Sequence, residues 1–250
     1  MDNDTLQTLL ARLTPGLLAI VAGASVVAAL ASQLGEGQAI PHIDQAIADV
    51  LRKGVPQAVR EVFGVITHLA DSATLTALGV VVSLLLIARR RISLASGWVL
   101  AVGGNGLLNP MLKGLFTRDR PLPADGATLV AGFSFPSGHS SGAMVAYGML
   151  AYLCLRLLAP RWHRPALVAA GVVAGLVGIS RLILGVHFAS DVIAGFASGA
   201  AWLAVCVTGL ELTRRGKPGM APGPSAETGS CQPSQHHPMT IPMDGDSMAS

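Results

Sequence analysis

The chain has 250 residues, of which 51% are hydrophobic, 12% charged and 4% aromatic, with a formal net charge of +3. A mean hydropathy of +0.56 and a charged fraction about half of the roughly 25% usual in soluble domains exclude an ordinary soluble fold. The basic residues are scattered over loops, with no basic face and no aromatic interleaving, so nucleic acid is excluded as a partner.

A polar segment at 1–12 is followed by a long uncharged run, and further uncharged runs recur along the chain. A helix needs roughly 20 apolar residues to cross the hydrocarbon core. On that length the runs predict six transmembrane helices, at 13–34, 70–88, 93–112, 139–158, 165–184 and 188–210. The expected fold is therefore all-α, a polytopic helical bundle occupying 13–213. Ala29-Leu30-Ala31 has the small residues of a signal-peptidase site. However, the run before it is longer than a secretory h-region, and Asp2 and Asp4 outweigh Arg12 in the segment before that, so the first helix is read as retained. Between the first two spans, Ile43, Ile47, Val50 and Leu51 recur at helical spacing in an otherwise polar stretch, which predicts a short interfacial helix. From Arg214 onward the chain is rich in Pro, Gly and Ser without periodicity, so 214–250 reads as a disordered cytoplasmic tail. Its His236-His237 pair lacks a third metal ligand. Cys154, Cys206 and Cys231 show neither disulfide nor metal spacing.

Orientation follows from the distribution of Lys and Arg. With the N-terminus cytoplasmic, ten basic residues fall inside, among them Arg89-Arg90-Arg91 in a very short loop, and seven fall outside. Three of those seven, Lys113, Arg120 and Arg181, belong to the motifs described next. The motifs thus emerge on the outer face, which for a bacterial inner membrane is the periplasmic side.

Charge at the edges of apolar segments marks functional sites, and here it falls in three blocks. The first is Lys113-x6-Arg120-Pro121. The second is Pro136-Ser137-Gly138-His139, and the third is Ser180-Arg181-x5-His187-x3-Asp191. Lys113, Arg120 and Arg181 suit a phosphate dianion, because guanidinium forks bind two phosphate oxygens at once. Gly138 sits where a helix would begin, aiming backbone N–H groups at an anion, and Ser137 either donates a hydroxyl or caps that helix. His139 is placed to protonate a leaving oxygen. His187 and Asp191, four apart, are expected on one face of the sixth helix, where the carboxylate would fix the tautomer of a nucleophilic imidazole. Arg118 lies outside the spacing and is read as a lipid-headgroup contact. His42, His68 and His163 read as interfacial surface residues, and Asn105 and Asn109 as bonds between helices.

The three blocks together resemble those of the type 2 phosphatidic acid phosphatase superfamily, over roughly residues 40–210. That resemblance implies a membrane phosphatase in which His187 becomes phosphorylated, Asp191 orients it and His139 protonates the leaving alcohol. It implies that Lys113, Arg120, Ser137, Gly138 and Arg181 hold the phosphate, without a cofactor or metal. The implied partners are the bilayer and a lipid phosphate such as phosphatidic acid, phosphatidylglycerol phosphate, undecaprenyl diphosphate or a lipid A phosphate. Two other classes share the cradle. A soluble acid phosphatase or haloperoxidase conflicts with the apolar runs. A non-enzymatic lipid-phosphate binder or transporter would need the cations but not two histidines and a carboxylate.

Overall fold

The computed structural model describes residues 3–35, 37–121 and 132–215. The helices, in order, are α1 (Asn3–Ser32), α2 (Ala39–Gly54), α3 (Gln57–Ile66), α4 (Ser72–Ala88), α5 (Ile92–Phe116), α6 (Gly138–Leu157), α7 (His163–Ile183) and α8 (Ala189–Arg215). Short 3₁₀ turns at Thr67–Ala70 and Pro160–Trp162 precede α4 and α7, and no strand occurs among the described residues. The expected tail lies outside the described residues except for Arg214 and Arg215, which extend α8.

Four helical segments are long and apolar enough to cross a membrane: Leu13–Ser32, Gly138–Leu157, Pro160–Ile183 and Ala189–Thr213. A fifth results if Gln57–Ala70 and Ser72–Ala88, bent by 41°, count as one broken span. The six-span expectation is therefore met only in part. The shortfall has a physical source in α4 and α5. α4 alone is 17 residues long, while Asn105, Asn109 and five glycines dilute the hydropathy of the 25-residue α5. The stretch between the first two spans holds two helices, α2 and α3, rather than one. α2 presents Ile43 and Val50 outward, the latter 70% exposed, so its apolar stripe is not used inside the bundle.

Inside, polarity is segregated along the bundle axis. Toward the Arg89–Arg91 turn the core is apolar: Leu94, Ala95, Trp98 and Ala101 of α5 meet Val145, Met149 and Leu153 of α6 and Cys206 and Leu210 of α8. The two indoles in this region are satisfied by main chain, Trp98 donating to the Gly79 carbonyl at 3.0 Å and Trp202 to that of Ala101 at 2.9 Å. At the opposite end polar residues are buried as well, Ser134, Ser137, Ser140, Ser141, Ser180, Arg181, His187 and Asp191, beside Phe135 and Ala194. Outward-facing side chains are meanwhile apolar, among them Leu84, Leu107, Met111 and Val168. This polarity, wet inside at one end and greasy outside, is that of a membrane bundle built around a polar site.

Small residues set how closely the helices bearing the site approach. A Cβ placed on Gly195 of α8 would lie 2.5 Å from the Ser137 carbonyl, and one on Gly199 2.8 Å from that of Ser141. The backbones of α8 and α6 are thus in direct contact where the second and third motifs meet, the geometry that small-xxx-small patterns permit. Gly195→Ala must push Ser137 away, because the obstacle is backbone and not a movable side chain. The expected loss is about 1–3 kcal/mol, read as a lower melting temperature in detergent together with reduced turnover. Gly175→Ala, whose Cβ would meet nothing within 4 Å, is the control and should not lower the melting temperature.

Candidate active site

The first motif is split by a turn. Lys113 occupies the last turn of α5, and Thr117 ends that helix in the left-handed region (φ 44°), its N–H bonded to the Lys113 carbonyl. The non-helical segment that follows is pinned to residue 134 by Ser134 N to Arg118 O (2.7 Å) and Ser134 Oγ to Asp119 O (2.8 Å). Arg118 and Arg120, two apart, consequently serve different places. Arg120 donates from Nη1 to the Val186 carbonyl (3.0 Å) and to His187 Nε2 (3.3 Å). Arg118 runs behind the site, donating from Nη1 to Asp191 Oδ1 and Ser190 Oγ, both at 2.7 Å, and from Nη2 to Asp44 Oδ2 at 2.8 Å. Its guanidinium also lies over the Phe188 ring, 4.4 Å from the centroid. The headgroup-contact expectation for Arg118 is corrected: its side chain is 11% exposed and it is ion-paired on both flanks. Sequence spacing could not reveal this, because the separation is made by the Thr117 turn.

In the second motif Ser137 is the N-cap of α6, accepting from Ser140 N at 3.4 Å and from Ser140 Oγ at 3.0 Å. Ser137 is fully buried, and the capping alternative describes its place. Gly138 fits against Asn109, whose Oδ1 would lie 2.9 Å from any Cβ there. Asn105 and Asn109 both donate to Ser141 Oγ, at 3.4 and 3.3 Å, so they bridge α5 and α6 as expected. His139 directs Nε2 to Asp71 Oδ1 at 2.8 Å, and the other oxygen of that carboxylate meets His68 Nδ1 at 2.6 Å.

In the third motif Arg181 ends α7, donating from Nη1 to Thr67 Oγ1 at 2.6 Å, while its buried Nε has no partner. Gly185 (φ 66°) turns the chain, and His187 lies in the connection, not on α8 as expected. Asp191, in the first turn of α8, instead reaches back to accept the Phe188 N–H at 2.8 Å, the N3-to-N-cap half of a capping box. His187 Nδ1 lies 3.4 Å from Asp191 Oδ2, a contact longer than a formed hydrogen bond. Burial holds the His187 imidazole down at about pKa 4, against the opposing pull of Asp191. His187 is therefore neutral, and the Arg120 donor on Nε2 selects the tautomer whose Nε2 carries the lone pair.

One cavity of about 440 Å³ collects these groups. Lys113, Arg120, Gly138, His139, Arg181 and His187 line it. Ser137 and Asp191 stand one layer behind. The remaining wall runs along α4 and α5 through Leu75, Thr76, Val102, Asn105, Asn109 and Pro110, and among the described residues no Asp or Glu side chain lines the cavity. Among the described residues no group of three or more His, Cys, Asp or Glu is arranged to hold a metal ion. Three cations without a carboxylate between them can receive a dianion, and a neutral imidazole beside them can attack it.

The sequence reading passed over Asp44 and Asp71. Asp44 stands within the apolar pattern of α2, and only the fold shows it to be buried, 2% exposed. Asp71 carried no signal, being an acidic residue before an apolar run.

A family model described as the PAP2 superfamily matches residues 94–215. The chain is 38% identical over 165 residues to phosphatidylglycerophosphatase B of Bacillus subtilis (strain 168), covering 64% of this chain and 80% of that protein. It is 32% identical over 169 residues to a lipid A 1-phosphatase of Rhizobium etli, covering 58% of this chain and 68% of the relative. A solved structure, described as the first transmembrane PAP2 type phosphatidylglycerolphosphate phosphatase from Bacillus subtilis, superposes with a TM-score of 0.68 at 32% identity. The match covers 80% of this chain and 98% of that one.

The state of His187 can be observed directly. In ¹⁵N-histidine spectra of the detergent-solubilised protein, assigned by loss of the signal in His187→Ala, Nε2 should show the shift of an unprotonated nitrogen. Because the pKa is lowered to about 4, that signal should persist as the pH falls through 6 and 5. An imidazolium signal for His187 at pH 6 would contradict the geometry.

Proposed function

The chain belongs to the PAP2 superfamily, and from that premise we propose that it is an integral membrane phosphatase cleaving a lipid phosphate through a phosphohistidine on His187. The observation that carries this reading is the cavity that joins Lys113, Arg120 and Arg181 to two histidines, with no carboxylate lining it among the described residues. His187 Nε2 attacks phosphorus as the bond to the leaving oxygen breaks, and His139 gives that oxygen its proton. Water then attacks the phosphohistidine, returning one proton to His139 and releasing inorganic phosphate and neutral His187. Lys113, Arg120 and Arg181 stabilise the charge on the transferring group, so the reading requires no metal ion. Asp191 closes on Nδ1 as the imidazole becomes cationic.

Asp71 has a distinct part in this scheme. A general acid standing beside Lys113 and Arg181 would tend to lose its proton to its surroundings. A carboxylate at 2.8 Å from Nε2 opposes that loss and leaves Nδ1 of His139 to serve the substrate. Leu75, Val102 and Pro110 on the α4–α5 wall offer apolar contacts to an acyl chain, and similarity to phosphatidylglycerophosphatase B makes phosphatidylglycerol phosphate the first substrate to assay. Phosphatidic acid, undecaprenyl diphosphate and lipid A phosphates follow. A pure lipid-phosphate binder would have no use for a neutral imidazole whose Nε2 lone pair faces the cations. In this reading α4 and α5 also cross the bilayer, since the Arg89–Arg91 turn makes them adjacent antiparallel helices, and α2 lies at the outer interface.

The roles separate by leaving group. His187→Ala is expected to abolish turnover and the phosphoenzyme on every substrate. His139→Ala should lose on the order of 10²–10⁴-fold with a diacylglycerol leaving group, and far less with p-nitrophenol, which leaves without a proton. Asp71→Asn should follow the same pattern more weakly. An equal penalty on both substrates for His139→Ala would make it a phosphate ligand instead of the acid.

Sidedness can be tested by labelling in a bacterial host after the native cysteines are replaced. A single cysteine at the exposed His42 position should react with an impermeant maleimide in intact spheroplasts, and one at Arg90 only after lysis. The opposite pattern would turn the site to the cytoplasm.

A further inference from the structure

Asp44 lies on α2, outside the residues matched by the family model and 146 positions before Ser190, yet it is almost wholly buried behind the cavity. Its Oδ1 accepts the Ser190 N–H at 3.0 Å, and its Oδ2 accepts both Ser190 Oγ and Arg118 Nη2. Arg118 in turn holds Asp191 Oδ1 at 2.7 Å. Three buried ions thus stand in a row, carboxylate, guanidinium, carboxylate, ending one contact away from the His187 imidazole.

We propose that Asp44 is a positioning residue for His187, acting through Arg118 and Asp191. The reasoning is one of charge. Resting on the nucleophile reading above, attack on phosphorus turns His187 into a cation, which Asp191 must stabilise. An Arg118 paired with Asp191 alone would form a neutral pair and cancel that help at short range in a poorly screened interior. The second carboxylate balances the guanidinium, so the row keeps one net negative charge while Arg118 still fixes the Asp191 carboxylate in place. Asp44 also bonds two atoms of Ser190, the residue before Asp191, which sets the rotation of the first turn of α8. A buried charge left without its partner is costly, so the three groups act as one unit.

The test uses the full chain in detergent, with a short-chain phosphatidic acid and p-nitrophenyl phosphate as substrates and inorganic phosphate as competitor. Asp44→Asn is expected to lower kcat on the order of 10–100-fold, by the same factor on both substrates, because the defect is in the attacking group and not in the leaving one. Its inhibition by inorganic phosphate should stay within about twofold of wild type, since the cradle is untouched. A wild-type kcat, or weaker phosphate binding in proportion to the lost turnover, would overturn the proposal, the latter showing that Asp44 only holds the fold. The double variant Asp44→Asn/Arg118→Met removes both charges of the Asp44–Arg118 pair and leaves Asp191 its negative charge, still held by the Phe188 N–H. It should be more active than Asp44→Asn, or than Asp44→Ser if Asp44→Asn does not fold. Activity at or below the single variant's would refute the charge balance. Turnover in His187→Ala would overturn the nucleophile reading and this inference with it, whereas a dead His187→Ala beside a normal Asp44→Asn overturns this inference alone.

Discussion

The fully buried carboxylate of Asp191 is the constraint on which the site end of the bundle depends. Its side chain takes the Phe188 N–H and so starts α8, it takes Arg118 from the segment after α5, and its main-chain carbonyl takes the Ser137 N–H at 2.9 Å. One residue therefore ties together the three stretches that carry the motifs, which are far apart in sequence. A carboxylate with no exposure must be compensated, and each group that compensates it also fixes a neighbour: the His187 connection, the second motif's turn, and the arginine that leads to α2. Stability and site geometry are the same set of bonds here.

Around that point the cations fall into two kinds. Arg118 is paired by carboxylates on both sides and faced by an aromatic ring, and its charge is spent within the protein. Lys113, Arg120 and Arg181 bond chiefly to neutral oxygens: the Phe133 carbonyl, the Gly132 and Val186 carbonyls, and Thr67 Oγ1. Such partners orient a cation without neutralising it. Arg181 even keeps a buried Nε with no acceptor, a donor whose desolvation is compensated only when an anion arrives. Among four basic groups within one turn of chain or one helix end, the difference between structure and site lies in whether a carboxylate or a neutral oxygen answers each.

Much of this was legible in the sequence. Uncharged runs gave the long helices, the motif blocks gave six of the cavity-lining residues, and the Gly138 turn gave a helix N-terminus. The parts that were not legible depend on what a linear spacing cannot carry. Arg118 and Arg120 differ by two positions and a left-handed Thr117, and only the folded turn sends one behind the site and one into it. His187 and Asp191 have helical spacing, but the capping bond to Phe188 starts α8 after the histidine. Asp44 and Asp71 come from segments without a motif and acquire meaning only through partners 74 and 68 residues away. Helices that build a polar cavity carry asparagines and glycines that dilute their hydropathy, so four of the six expected spans, or five with the bent pair, stand out by length and composition.

The two histidines illustrate how environment divides identical side chains between opposite tasks. His187 is buried, its Nε2 is met by an arginine donor, and its carboxylate stands off at 3.4 Å, already engaged by Arg118. Every one of these features favours the neutral ring that a nucleophile requires. His139 is more open to the cavity, and its carboxylate, Asp71, is in full hydrogen-bond contact with no arginine to share it. That contact gives Nε2 an anionic partner, which opposes loss of the proton an acid must deliver. In the proposed reaction, separation of two like groups by their surroundings lets one site supply both an acid and a nucleophile, and the difference between them follows Arg118, which engages Asp191 and not Asp71.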